Sequence, residues 1–400
     1  MEAEPVYLDY NATTPVAPEV ADAIEPYLRE HFGNPSSSHI YGQKAKAAVE
    51  QARGEVAALI GARPEEIVFT GCATEANNLA IQGVAQVLAG TKRHLVTSAV
   101  EHPSVMQPFL KLREEGWEVT ILPVDRHGRV NPIAVARAIR PDTALVSIMH
   151  ANNEVGTIQP IAEIAQITRP KGILLHTDAA QSAGKIPVHV YKLGADLLTL
   201  AGHKFYAPKG IGMLYVRQGT RLLPTQTGGG QERNMRAGTE NTPYIVGMAK
   251  ALELAESARP LEVLRLTTLR NKLIDGILER IPDTTLTGSR TQRLASHASF
   301  VFPGVEGESV ILKLSMLGIG ASSGSACSSG DEGPSHVLSA MGIQHPVARG
   351  SLRLTLGREN TERDVDRVLA ELPGVIASLR AMSPFYNAEG TVAVQPVKSL

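Results

Sequence analysis

Cysteine is nearly absent from this chain: only Cys72 and Cys327 occur in 400 residues. A secreted fold stapled by disulfides would need more, so a reducing, cytoplasmic compartment is expected. A surplus of either charge is also lacking, because 39 Lys and Arg face 40 Asp and Glu, for a formal net charge of -1. Without a basic excess there is no electrostatic footprint for nucleic acid or an anionic membrane. No apolar run approaches the roughly 20 residues of a membrane span. The N-terminal Met1-Glu2-Ala3-Glu4-Pro5 is acidic and has no apolar stretch of a secretory signal. No internal repeat of fixed period is found.

What remains is a soluble globular composition, 43% hydrophobic and 20% charged, in a chain long enough for two domains. From Ala45, apolar residues recur with a helical period at Ala48, Val49, Ala52, Val56, Leu59 and Ile60. Strand-like runs follow at 67–70, 94–97, 144–149, 173–176, 195–200 and 211–216. Several are apolar on both faces, as in a covered, mostly parallel sheet. Residues 104–115 and 132–139 read as intervening helices, so the architecture is α/β in layers. Residues 227–241 form a polar, glycine-rich loop, followed by a helical stretch from about 243 to 280. Strand-like runs at 299–302 and 351–356 flank a Gly/Ser-rich segment at 320–333, which implies a smaller α+β domain. The stretch from about Pro384 is expected to be an extended arm. The domains are therefore placed at 15–260 for the large one, and at 1–14 with 261–400 for the small one.

In open α/β sheets ligands sit outside the carboxyl ends of the strands. Five strand-like runs here end in residues with chemistry. The first is followed by Gly71-Cys-Ala-Thr-Glu-Ala-Asn-Asn78, the second by Glu101-His102, and the third by His150-Ala-Asn-Asn-Glu154. The fourth leads to Asp178 and Gln181, and the fifth to Ala201-Gly-His-Lys204. The backbone around Ala73 with the Thr74 hydroxyl suits an anion at a helix start, although Thr is also an ordinary N-cap. Lys204 at a buried strand end suits a Schiff base, against the commoner snorkelling surface lysine. Asp178 needs a charged or hydrogen-bonded partner, which a protonated pyridine nitrogen would supply and a helix cap would equally explain. His102 suits stacking on an aromatic cofactor or proton transfer, against a satisfied loop histidine. Cys327 lies among small residues that cost little to move, which fits a travelling nucleophile and a bland linker alike.

With these segments on the page, the chain resembles the group I cysteine desulfurases of the fold-type I pyridoxal-phosphate enzymes, within the aminotransferase class V-like transferases. The match runs nearly end to end. It is carried by Tyr7-Leu-Asp-Tyr-Asn-Ala-Thr-Thr14, Gly33-Asn-Pro-Ser-Ser37, Thr70-Gly-Cys-Ala-Thr-Glu-Ala-Asn-Asn78, Glu101-His-Pro103 and Ala151-Asn-Asn-Glu-Val-Gly156. It continues through His176-Thr-Asp-Ala-Ala-Gln181, Gly202-His-Lys204, Arg236-Ala-Gly-Thr-Glu-Asn241, Ser322-Ser-Gly-Ser-Ala-Cys-Ser-Ser-Gly330 and Ser351-Leu-Arg-Leu-Thr355.

The resemblance implies roles. Lys204 would carry pyridoxal 5′-phosphate, Asp178 would keep its pyridine nitrogen protonated, and Gln181 would bond its phenolic oxygen. His102 would stack on the ring and move protons. Ala73, Thr74 and His203 would hold the phosphate, with Thr239 reaching in from the other subunit of a homodimer. Asn153 and Arg353 would hold the carboxylate of L-cysteine, for which a planar Arg fork is suited. Cys327 would take the sulfur as a persulfide, for delivery to an iron–sulfur scaffold protein. No metal site is expected, although Cys327 could touch a transferred cluster. Ala201 stands where many relatives carry a serine that bonds the phosphate. Residues 201–209, 236–241 and 383–386 look most like the nitrogenase-associated branch. The rivals are a housekeeping desulfurase, a selenocysteine lyase, an aminotransferase, and a non-catalytic sulfur carrier on the same fold. An aminotransferase needs no mobile thiol, and Lys204, Asp178 and Cys327 together speak against a non-catalytic carrier.

Overall fold

The computed structural model describes residues 4–323, 335–384 and 386. Cys327 and most of the expected C-terminal arm lie outside the described residues. Along the chain the strands are β1 (Val6–Tyr7), β2 (Ile67–Thr70), β3 (His94–Ser98), β4 (Glu118–Leu122), β5 (Thr143–Ser147) and β6 (Leu174–Asp178). They continue with β7 (Leu197–Ala201), β8 (Gly212–Val216), β9 (Thr285–Leu286), β10 (His297–Val301), β11 (Ile319–Gly320) and β12 (Ser351–Thr355).

The central sheet has the order β2-β8-β7-β6-β5-β3-β4. Only β8 runs against its neighbours, β2 and β7; the other contacts are parallel. Six strands therefore point the same way and deliver their carboxyl ends to one edge. Every residue of β2, β3, β5 and β7 is buried, because crossover helices cover both faces of a parallel sheet. That is why these strands read as apolar runs without charged residues, interrupted only by buried Thr, Ser and His. The edge strand β4 alternates between exposed and partly buried positions, and neither it nor the two-residue β1 gives a clear signal in the sequence.

The helix Ile40–Ile60 turns Ala45, Ala48, Val49, Ala52, Val56 and Ile60 inward and stops at Gly61, whose φ of 70° suits glycine. Its Arg53 is buried against Glu232 with two hydrogen bonds of 2.7 and 2.9 Å. Glu232 also accepts from the Phe69 N–H at 3.0 Å. The glycine-rich loop is thereby anchored to β2.

The helix Thr242–Arg280 runs through both hydrophobic cores. Ile245, Met248 and Leu252 pack beside the central sheet, while Leu273, Ile274 and Ile277 pack with Phe300, Leu354 and Val368. The division expected near residue 260 thus falls inside one continuous helix. A second sheet, β12-β10-β9, is antiparallel. A third pairs β1 with β11. From β1 the chain bridges at Asp9 to Thr355, then crosses to the central sheet, where the Thr14 N–H donates to the His203 carbonyl at 3.0 Å. Among the described residues, no helix is long and apolar enough to cross a membrane.

Candidate active site

The carboxyl ends of β2, β3, β5, β6 and β7 surround one site. The helix Ala73–Leu88 begins directly after β2, and no side chain caps its first turn. Its open N–H groups at Ala73 and Thr74 carry the positive end of the helix dipole. Gly212 makes this junction possible: a Cβ there would lie 2.6 Å from the Cys72 carbonyl carbon. Glu75 accepts from the Gly71 N–H at 2.7 Å and pairs with Arg236 at 2.7 Å, fixing the turn before the helix.

Asp178 ends β6 and is 6% exposed. Its carboxylate faces neutral donors: Asn77 Nδ2 at 2.8 Å and the Ala180 N–H at 2.9 Å. Asn77 also donates to Ser104 Oγ at 2.8 Å. Lys204 follows β7, and its Nζ donates to the Asn11 and Ala12 carbonyls at 2.7 and 2.8 Å. Gln181 donates to the same Asn11 carbonyl at 3.0 Å and accepts from Lys185 Nζ at 3.0 Å.

His102 Nδ1 accepts from the Ser104 N–H at 3.1 Å, so in the neutral ring the proton sits on Nε2. Burial holds the pKa of His102 below the usual histidine range; Asp178 pulls it up, and Lys204 and His336 push it down. His203, 3.2 Å from Thr13 Oγ1 through Nδ1, is lowered to about 4 by burial and then by Lys204, Lys209 and Lys185. A neutral His203 still offers an N–H to an anion.

Arg353, on β12, is 1% exposed. Its fork donates to the Asn153 carbonyl at 3.1 Å and to Asp9 at 2.8 Å. Its Nε finds no partner among the described residues. The sequence pointed to Arg353 as a carboxylate fork; here a substrate carboxylate has to compete with Asp9. Thr239 is exposed and lines a cavity of about 200 Å³ with Thr70, Gly71 and Arg236 of its own chain. Ala201 is buried, 2% exposed. No group of His, Cys, Asp and Glu suited to a metal occurs among the described residues.

Sequence reasoning missed Asn11, Asn77, Ser104 and Lys185. Asn11 acts through its main-chain carbonyl, which no residue type announces. Lys185 lies one helical turn's spacing beyond Gln181, and that spacing was its only signal.

Glu101 is fully buried beneath the site. It accepts from the Ser98 hydroxyl at 2.6 Å and the Met149 N–H at 3.0 Å. Burial pushes its pKa from 4.5 up to about 8; the bonds from Ser98 and Met149 oppose the rise and Asp178 adds to it. Because the folded value is the higher one, its contribution is complete below about pH 4.5 and is lost as pH climbs through about 8. Glu101→Gln is therefore expected to gain stability over wild type as pH rises across that window. Parallel melting temperatures of the two proteins from pH 5 to 9 would exclude this.

The aminotransferase class-V family matches residues 6–368. A cysteine desulfurase IscS of Dictyoglomus turgidum is 50% identical over 380 residues, covering 95% of this chain and 96% of that protein. The IscS of Methanosarcina thermophila is 50% identical, covering 97% and 96%. A solved NifS-like protein superposes with a TM-score of 0.88 at 38% identity, covering 94% of this chain and all of that one. The chain therefore belongs to the class-V aminotransferases, pyridoxal-phosphate enzymes of fold type I. Within them it is a member of the cysteine desulfurase family.

The residues present fit that cofactor. Asp178 is a buried carboxylate met only by neutral donors, which a pyridinium N–H would complement. The uncapped helix start suits a phosphate. Lys204 holds its amine at the same edge.

Proposed function

We propose that this protein converts L-cysteine to L-alanine and leaves the sulfur on Cys327 as a persulfide, for iron–sulfur cluster assembly. The observation that carries the proposal is the convergence of Lys204, Asp178, Gln181 and His102 on one strand edge. The described residues flanking the Cys327 segment are bonded to Arg353 on one side and to Glu154 and the Glu101 carbonyl on the other.

Held by Lys204, pyridoxal phosphate would supply an electron sink for the pair released at the substrate Cα. Asp178 holds the charge that makes this uptake favourable. Gln181 donates to the ring oxygen. Ala73 and Thr74 offer N–H groups, and His203 a ring N–H, to the phosphate. Thr239 adds a hydroxyl from the second subunit of a homodimer. Arg353 with Asn153 orients the substrate carboxylate. Lys204 and His102 Nε2 move the Cα proton. The Cys327 thiolate then attacks the substrate sulfur: an S–S bond forms, the substrate C–S bond breaks, and its electron pair stays with the carbon. Protonation of that carbon gives alanine, so L-cysteine and the Cys327 thiol become alanine and a persulfide with no outside oxidant or reductant.

A solved structure named as SspA in complex with cysteine, 39% identical with a TM-score of 0.77, covers 88% of this chain and supports L-cysteine as the substrate. The relatives named IscS favour a general iron–sulfur scaffold as acceptor. The nitrogenase-associated acceptor is the second reading, favoured by residues 201–209 and 236–241. The test is direct: purified protein with L-cysteine and a thiol reductant should release alanine and sulfide in equal amounts. Pyruvate and ammonia in place of alanine would overturn the proposal.

A further inference from the structure

Lys185 is a buried amine that meets no carboxylate among the described residues. It follows the turn after β6, where Gly184 adopts φ 70° and a Cβ would lie 2.5 Å from Ala255 Cβ. The Gly184 N–H donates to Glu256 at 3.1 Å, and the Lys185 N–H to the Ser182 carbonyl at 3.0 Å. The backbone is thus held from both sides, and the side chain is aimed into the site. Its Nζ donates to Gln181 Oε1 at 3.0 Å and approaches Asn11 Oδ1 at 3.4 Å. No carboxylate pairs with it among the described residues. The charged groups that act on it are Lys204 and Arg353, and with burial they push it down to about 7. His203 and His297 feel its charge in turn.

An unpaired lysine placed against two other cations is costly, so its contacts have to matter. A primary amide is ambiguous: either end of Gln181 fits the same space, and only its neighbours decide which way it faces. In its charged form Lys185 can only donate, and it meets the oxygen end of the amide, while the Asn11 carbonyl, which can only accept, meets the nitrogen end. That leaves the Gln181 NH2 facing the site, with one N–H on the Asn11 carbonyl and the second directed to an incoming acceptor. We infer that Lys185 is a positioning residue that locks the Gln181 amide with its NH2 toward the phenolic oxygen of the cofactor. This rests on Gln181 as the partner of that oxygen.

A donor to the ring oxygen stabilises its anionic form and lowers the pH at which the bound cofactor changes colour. With Lys185→Met the amide keeps only its N–H on the Asn11 carbonyl and is no longer held at its oxygen end, so its NH2 is less firmly presented to the anion. Two readouts are needed on purified protein: the pH midpoint of the cofactor absorbance change, and the affinity of the cofactor-free protein for pyridoxal phosphate. Lys185→Met is expected to raise the midpoint by about one pH unit and to weaken cofactor binding about tenfold. Lys185→Gln keeps an N–H donor without the charge, and should restore most of both. It also serves if the Met variant does not fold. Gln181→Ala should shift the midpoint as far, and Lys185→Met should add nothing on that background.

Equal shifts in Lys185→Met and Lys185→Gln, or additive effects with Gln181→Ala, would show a charge acting alone and overturn the inference. A shifted Gln181→Ala beside a silent Lys185→Met would overturn it while leaving Gln181 in its role. A silent Gln181→Ala would remove both.

Discussion

Cys327→Ala is expected to release no sulfide from L-cysteine, a loss on the order of 10³-fold or more, while still binding the amino acid and changing the cofactor absorbance. The expectation rests on chemistry and on where the chain around Cys327 is tied down. Ser322 exchanges both main-chain hydrogen bonds with Arg353, at 3.2 and 2.7 Å. On the far side, Ser335 is bonded to Glu154, and His336 Nε2 lies 2.9 Å from the Glu101 carbonyl. Cys327 is five residues from Ser322, so it can lie at most about 17 Å from that anchor. The anchor itself sits on the residue that orients the substrate carboxylate. That chain length is compatible with Cys327 as the proposed sulfur acceptor. Sulfide assay and absorbance titration with L-cysteine check the two halves separately. A variant with undiminished sulfide release would mean that another acceptor, or simple elimination, carries the reaction.

Asp178→Asn is expected to lower kcat on the order of 10³-fold with KM for L-cysteine little changed. Asparagine keeps the shape and can still bond Asn77 and the Ala180 N–H. It loses the charge, and the charge is what makes the ring nitrogen hold its proton. The hydrogen-bond partners of Asp178 are neutral donors, so its charge is not already spent on an ion pair among the described residues. Steady-state kinetics beside a measurement of bound cofactor check this. A fall of less than about tenfold would mean that the ring nitrogen does not need its proton here.

Much of this was legible in the sequence, for physical reasons that differ by element. β2, β3, β5 and β7 were visible because burial on both faces keeps them free of charged residues and rich in Ile, Leu, Val and Phe. The same burial made the polar residues after them conspicuous, and Lys204 and Asp178 were found that way. β4 escaped because an edge strand with one wet side has weaker alternation. β1 and β11, two residues each, are too short for any period. The ion pair of Arg353 with Asp9 joins residues 344 positions apart, and no local pattern encodes such a distance. Asn11 was quoted within a motif without a role, because its contribution is a carbonyl oxygen common to every residue.

The path of residues 6–14 has a consequence for how the protein is made. The carbonyls of Asn11 and Ala12 hold Lys204, yet this stretch is secured by β1 on Ile319 and Gly320, and by Asp9 on Thr355. The ribosome produces these residues before Ile319, Gly320 and Thr355. During synthesis the stretch can meet His203 and Lys204 well before its strand partners exist. The anchoring of residues 6–9 can therefore be completed only once the chain has been polymerised through Thr355, which makes the final fixing of the Lys204 carbonyl cradle a late event in the life of the nascent chain.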